Sequence, residues 1–355
     1  MRKLATIRKI DNLLPIEGAD LIVTAIIDGW TVVVKKNEFD VGCLCVYFEI
    51  DSFLPDGNPY WQHLVEKHPR MFEGGRGHRL RTVRLRGQLS QGFVVPLSVL
   101  GPPENIFPIG EGCVGADVTE ELGIKKYEAP VPAELSGQVK GDFPSFMRKT
   151  DQERCQNLGR DIFVDNEDSR YEITMKLDGT SFTAYVKDEL NGVCGRNWEL
   201  KVDDPNNEHN TLVRMYVDSG LRDALTQIGS NYAVQGELMG PGIQKNREGL
   251  KAHKLFVFDI YDINNGCYLS PHVRHEVLQQ LYGLGLNKDM VDHVPVIAMG
   301  ESLEDLNIYG TDGLLQFAEG PSINHPIREG LVFKRVDGGF SFKSISNLFL
   351  LQEKD

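Results

Sequence analysis

Tyr171–Tyr185, YEITMKLDGTSFTAY, decides how the second half of the chain is read. Its opening residues form an apolar, strand-like run that ends at Lys176. Asp178 follows two positions later, so on an extended backbone it shares a face with Lys176. Gly179 lets the backbone turn closely past a phosphate. A lysine acts as a nucleophile only when its amine is neutral, so its pKa must fall from about 10.4 toward neutrality. A strand-end lysine facing a cleft, with cations or a metal nearby, meets that need. By itself, Lys-x-Asp-Gly describes a surface pair beside a turn equally well.

The residues downstream make the difference. Gln235-Gly236-Glu237 ends a second strand-like run. Phe256–Asp262, FVFDIYD, is aromatic-rich and carries two acids. Arg328-Glu329-Gly330-Leu331-Val332-Phe333-Lys334 repeats the Glu-Gly-apolar theme, and Phe342-Lys343 follows shortly after. Acids for a metal or a ribose, lysines for phosphate and an aromatic to stack a base suit nucleotidyl transfer. Phe256 and Phe258 share one parity and alternate with Val257 and Asp259, so on a regular strand the parity that holds both rings can simply be core, and their order alone does not say which ring stacks a base.

Strands are expected at Tyr171–Leu177, Phe182–Val186, Tyr232–Leu238, Leu255–Ile263, Leu331–Arg335 and Phe340–Ser344. Helices are expected at Leu212–Ile228, broken at Gly220, and at Val273–Leu284, with Ser270 as N-cap and Pro271 in the first turn. A shorter helix is expected after Ser302, with Glu304 and Asp305 in its first turn. Phe146–Asn157 is polar and basic and reads as a short helix or an approach segment. The half is α+β with antiparallel sheets.

Residues 1–123 read as a small β domain. Ala5–Ile10, Leu21–Ile26, Trp30–Lys35, Leu44–Ile50 and Phe93–Pro96 are strand-like, and Asp28-Gly29 is a hairpin signal. Short strands with a loop-rich insert at Pro55–Gly77 suggest a closed barrel of the OB type, a frequent carrier of single-stranded nucleic acid. Arg79–Arg86 alternates basic and apolar residues, but its parity slips near Thr82-Val83, where a bulge or bend is expected. Residues 124–145 hold Pro130, Pro132 and Pro144 without strong periodicity and read as a linker. Residues 146–355 form the second domain.

With 355 residues, 41% hydrophobic and 25% charged, the chain has room for two globular domains. The apolar runs are short, so no transmembrane helix is expected. The N-terminal stretch lacks an apolar h-region, so no secretory signal is expected and the cytoplasm is the expected location. Six cysteines without paired CxxC units read as reduced thiols and not as a zinc site. A net charge of −13 argues against non-specific binding to nucleic acid. Between Arg70 and Arg86, however, six arginines face Glu73 alone, which is either a solvated strand surface or a patch for a polyanion.

The ordered set resembles the covalent nucleotidyltransferase superfamily of polynucleotide ligases and mRNA capping enzymes, and within it the ATP-dependent RNA ligases. The branch with an OB domain ahead of the transferase domain fits best. Leu14–Asp20, Val46–Pro55 and Gln91–Leu97 look like its OB module, whereas DNA ligases and capping enzymes usually place theirs after the transferase domain. The fold class implied is α+β, an OB-like barrel followed by an antiparallel-sheet adenylylation domain.

The resemblance implies that Lys176 attacks the α-phosphorus of ATP to give lysyl-AMP, and that Asp178 positions the lysine or a metal-bound water. It makes Arg154 and Arg196 nucleotide contacts, Glu237 the ribose ligand and Phe258, or Phe256, the adenine-stacking ring. Glu329 organises the metal, Mg²⁺ or Mn²⁺, together with Asp178. Lys343 contacts the α-phosphate, supported by Lys334. Two departures are visible. Met175 stands where relatives often carry glutamate, so the base would be read by backbone groups near Thr174. The last motif keeps one lysine instead of two, so phosphate neutralisation leans on Lys343, Lys334 and metal.

The expected function is joining a 3′-hydroxyl RNA end to a 5′-phosphate end at a nicked duplex, by a monomer, with Arg79, Arg81, Arg84 and Arg86 holding the nucleic acid. The rivals are a DNA ligase, a capping guanylyltransferase and a non-catalytic OB-type RNA-binding protein.

Overall fold

A computed structural model describes residues 2–102, 111–129 and 137–352. The chain divides into two compact units, Met1–Pro130 with Leu350–Asp355, and Val131–Phe349.

The first unit is built from short strands. Ala5–Lys9, Leu44–Phe48 and Phe93–Pro96 form one sheet, with Leu44–Phe48 central. Asn12–Pro15, Ile22–Ile27 and Trp30–Lys35 form a second. Trp30–Lys35 alternates buried and half-buried residues, as a strand with one covered face should. Its hairpin turn, Asp28-Gly29, has φ of 49° and 83°, the left-handed pair that a two-residue turn demands. Trp30 stacks on Tyr47 and Phe48 meets Trp61, filling two adjoining apolar clusters.

Arg79–Arg86 is not one bulged strand. Gly75–Arg79 ends in a four-stranded sheet with Lys125–Lys126, Ser52–Pro55 and Arg70–Phe72, while Thr82–Leu85 pairs with Gln88–Gln91 as a separate hairpin. Leu80, buried in the core, absorbs the change of direction. The insert expected to be loop-rich contains the helix Gln62–Lys67. Within the expected linker, Lys125–Lys126 pairs with Ser52–Phe53 and Val139–Asp142 pairs with Trp198–Leu200. Residues 130–136 lie outside the described residues.

The second unit has two large sheets. An eight-stranded sheet contains Val139–Asp142, Trp198–Leu200, Leu190–Cys194, Thr180–Lys187, Tyr232–Met239, Lys254–Asp262 and Cys267–Tyr268 in that order, with Val291–His293 parallel to Lys254–Asp262. A five-stranded sheet runs Glu153–Arg154, Ser341–Ile345, Gly330–Arg335, Arg170–Lys176 and Val296–Ser302. Helices Thr211–Asp218, Leu221–Gln227 and Pro271–Gly283 cover the eight-stranded sheet through Tyr216, Leu225 and Leu281.

Gly220, at φ 76°, breaks the first helical stretch at the expected place. Ser270 precedes the third helix, but its side chain makes no capping bond. The short helix expected after Ser302 is a turn. Asp305 accepts from the Ser302 amide and Ser302 Oγ accepts from the Asp305 amide, yet Asn307 and Gly310 take positive φ and end the turn. The helix forms later, at Gly310–Phe317. Phe146–Asn157 holds no α-helix; Glu153–Arg154 is a strand and Cys155–Asn157 a single 3₁₀ turn.

Candidate active site at the crossing of two sheets

Lys176 ends a strand of the five-stranded sheet, and Thr180 begins a strand of the eight-stranded sheet. Leu177, Asp178 and Gly179 are therefore the crossing from one sheet to the other. The crossing is tight at Gly179: a Cβ there would stand 2.5 Å from the Leu238 carbonyl oxygen and 2.9 Å from Glu237 Cγ. Only glycine admits that approach. The Gly179 amide donates to Glu237 Oε1 at 3.1 Å, and its carbonyl accepts from Gln244 Nε2 at 3.1 Å.

Each sheet supplies one Glu-Gly pair. Gly236 lies against the Phe256 backbone and Gly330 against the Ser344 carbonyl, contacts a side chain would prevent. Glu237 and Glu329 are brought to Lys176 from opposite sheets in this way. Lys176 Nζ forms an ion pair with Glu329 Oε1 at 2.7 Å. Glu329 Oε2 is buried with no hydrogen-bond partner among the described residues. Burial alone would depress the Lys176 amine, but Glu329 and then Glu237 outweigh it and hold the amine above the usual lysine value. Burial pushes the Glu237 carboxyl up to about 7, with Lys176 opposing. The surroundings thus do the reverse of what a nucleophilic lysine was expected to need, and favour the charged amine.

Beside this centre, Arg154 pairs in register with Lys343 across a parallel strand contact. Asp151 draws in two cations, Lys343 Nζ at 3.4 Å and Arg196 Nη2 at 3.6 Å. Two expected nucleotide-binding residues therefore meet at one acid that the sequence did not single out, with Arg154 on the strand beside them.

The choice between Phe256 and Phe258 follows from a bulge. Gln235 opposes Asp259, but Gly236 opposes Val257, so Phe258 is the extra residue. Phe256 is buried in an apolar cluster with Leu177, Met239 and Val294, whereas Phe258 remains half-exposed. Lys334 does not face solvent. It is 7% exposed, pairs with Asp259 Oδ1 at 2.8 Å and lies 5.5 Å from the centre of the Phe258 ring. On the nucleophile strand, Thr174 shares the face of Lys176, and its buried Oγ1 has no partner among the described residues.

The loop between Tyr232–Met239 and Lys254–Asp262 escaped sequence reading. It brings Gln244 to Gly179 and Arg247 to within 3.9 Å of Asp178 Oδ2, with Arg247 stacked on Phe349. Left-handed φ at Gln244 and Asn246 was a cue only in hindsight. One three-membered group of metal-ligating side chains occurs among the described residues, Glu172, His275 and His293. Arg274 bonds to two of its members, and a guanidinium there leaves no place for a cation.

In the first unit, Arg79 is bound to Asp51 at 2.6 Å and lies over Tyr127, and Arg76 pairs with Asp56. Arg81, Arg84 and Arg86 are exposed on or beside the separate hairpin. No helix among the described residues is long and apolar enough to cross a membrane.

Comparison with known proteins agrees with this layout. An OB-fold domain model matches residues 4–97, and an RNA ligase model matches residues 169–345. No curated protein matches the chain in the sequence comparison. Among solved structures, a Naegleria gruberi RNA ligase is 44% identical. Its lysine-to-methionine mutant with AMP and Mn superposes with a TM-score of 0.82, covering 100% of both chains. Its glutamate-to-alanine mutant with ATP and Mn gives 0.81, again over 100% of both chains. Its aspartate-to-alanine mutant, apo, gives 0.81 over 100% of this chain and 99% of that one.

Proposed function

This chain belongs to the RNA ligase family, and from that premise we propose that Lys176 is its nucleophile and a nick with 3′-hydroxyl and 5′-phosphate ends its substrate. The enzyme is an ATP-dependent RNA ligase that works with a divalent metal. The observation that carries the site assignment is the Lys176–Glu329 pair at 2.7 Å, held where two sheets cross, with Glu237 bound to Gly179 beside it. The relative offers support: its substituted lysine and aspartate stand two residues apart, as Lys176 and Asp178 do here.

In the first step Lys176 loses its ammonium proton to solvent and Nζ attacks the α-phosphorus, the bond to the bridging oxygen of the β-phosphate breaks and pyrophosphate leaves. In the second, an oxygen of the RNA 5′-phosphate attacks the same phosphorus and the lysine nitrogen departs. In the third, the RNA 3′-hydroxyl attacks the 5′-phosphate and AMP is released. Lys343 and Arg154 would meet the α-phosphate, Arg196 and Glu237 the ribose, and Phe258 the adenine face. Thr174 Oγ1, buried and unmatched, would read the base edge, in place of the backbone groups expected.

The residues fit a divalent cation, because Glu329 leaves one buried carboxylate oxygen unsatisfied and Asp178 stands on the neighbouring turn. Two carboxylates together with substrate phosphates make an ordinary Mg²⁺ or Mn²⁺ site. When bound, the metal would offset charge on the phosphates. Incubation with α-labelled ATP and Mg²⁺ or Mn²⁺, followed by denaturation, is expected to leave label on the protein. A folded, AMP-free protein that takes no label with either metal would refute the assignment and favour an RNA-binding role.

The first unit would hold the nucleic acid through its hairpin and not through Arg76 or Arg79, whose charges are already matched by Asp56 and Asp51. Arg86 occupies a left-handed turn position, φ 51°, where asparagine or glycine would relieve strain. Replacing Arg84 and Arg86 by Ala should weaken RNA binding across sequences and lower the salt slope by about one per lost phosphate contact. Label uptake from ATP without RNA should stay unchanged. Unaltered affinity and slope would remove the hairpin from the interface.

A further inference from the structure

A group of four buried charges lies on the nucleotide side of the second unit. Glu172 sits on the nucleophile strand, four residues before Lys176, and Lys334 opposes it in register on the next strand. Asp259 belongs to the other sheet and follows Phe258 directly. Arg274 comes from the helix Pro271–Gly283. Glu172 and Arg274 are both 0% exposed and Asp259 is 3% exposed.

The contacts run in a chain from Glu172 through Arg274 and Asp259 to Lys334. Arg274 Nη2 donates to both carboxylate oxygens of Glu172, at 2.6 and 2.5 Å. Its Nη1 lies 3.6 Å from Asp259 Oδ1, and Lys334 Nζ reaches the same oxygen at 2.8 Å. Lys334 also donates to the Phe258 carbonyl. Arg274 Nε donates to His293 Nε2 at 3.2 Å, while His293 Nδ1 bonds the Val294 carbonyl at 2.6 Å, which fixes the guanidinium plane. Two acids and two cations balance, so the group is neutral although it is dry.

Its placement is informative. A stabilising ion pair has no need to join two sheets and a helix, and apolar residues would fill such a volume at least as well. Here one guanidinium sets the spacing between the sheet that bears Lys176 and the sheet that bears Phe258. The second cation grips the backbone of Phe258, the extra residue of the bulge, whose half-buried ring packs against the edge of the apolar cluster. We propose that Arg274 is a positioning residue for the nucleotide pocket, acting through Asp259 and Lys334 to hold Phe258 where an adenine ring stacks. The proposal rests on the ligase reading of the same site.

The test is label uptake from α-labelled ATP as a function of ATP concentration, at saturating Mn²⁺. Arg274→Lys retains the charge but cannot span both acids. Its KM for ATP is expected to rise by about ten-fold with kcat changed by less than about two-fold. Glu172→Met combined with Arg274→Met removes one charge pair together and leaves Asp259 and Lys334 paired, which guards against misfolding. The same KM rise is expected there. A double variant with wild-type KM, or one in which kcat alone falls, would show that the group serves stability only and would overturn the proposal. Absence of label on the wild-type protein would instead mark failure of the ligase reading. Phe258→Ala with unchanged KM, beside a raised KM for Arg274→Lys, would retain Arg274 as a pocket-positioning residue but overturn its action through Phe258.

Discussion

Lys176→Ala abolishes labelling of the protein by α-labelled ATP, while sealing of a chemically pre-adenylylated RNA strand remains measurable. Removing a covalent nucleophile costs roughly 10⁴-fold or more in the step it performs. The third step needs no amine, since the bond to be broken already joins AMP to the RNA. The two assays therefore separate loss of a nucleophile from loss of a fold. Lys176 is also the cation between Glu329 and Glu237, so its removal leaves two carboxylates facing one another. Some loss of thermal stability is expected, because the buried Glu237 carboxyl loses the cation that favours its charged form. A variant that still takes label would assign the adduct to another residue.

Glu329→Gln gives the second large effect, a fall of roughly 10²–10³-fold in adduct formation, the range for removal of one group that stabilises charge at the reacting centre. The pH profile carries a further signature. Glu329 is the foremost influence raising the Lys176 amine, and burial opposes it. Without the carboxylate, burial is opposed only by Glu237 and Asp178, so the lysine pKa falls. The acid limb of the rate profile, which reports loss of the amine proton, should move to lower pH even as the maximum rate drops. The linkage has a definite sign. A lysine whose folded pKa is raised stabilises the fold at pH below its unfolded value, and this is lost as pH rises through the folded value. Glu329→Gln therefore lowers stability at neutral pH and narrows the gap to the wild type at strongly alkaline pH. An unchanged rate with Mn²⁺ would exclude Glu329 from the metal site.

Much of the second unit was legible before the fold. The strands that carry Lys176, Glu237 and Lys343 lie within one residue of their expected bounds, because each is a short run of apolar and β-branched or aromatic residues. Val296–Ser302 was missed, since it is half-exposed along most of its length and shows no clean apolar face. Gln244, Arg247 and Asp151 were missed for a different reason. Each acts through a contact made far along the chain, and a loop of glycines and polar residues gives no periodicity to read. The arginine patch was legible as composition but not as function. Proximity in sequence could not show that Asp51 and Asp56 neutralise Arg79 and Arg76.

The sequence by itself determined the order of the motifs, the identity of the nucleophile candidate and the presence of two domains. These depend on residue type, spacing and local turn chemistry, all of which are written along one strand at a time. Tertiary structure alone decided which phenylalanine is available to a base, whether Lys334 meets solvent or a buried acid, and whether Lys176 is held charged or neutral. Those outcomes depend on the register between strands and on the distance between carboxylates from different sheets. A one-residue bulge exchanges the two faces of a strand, and a carboxylate 2.7 Å away reverses the effect of burial on an amine.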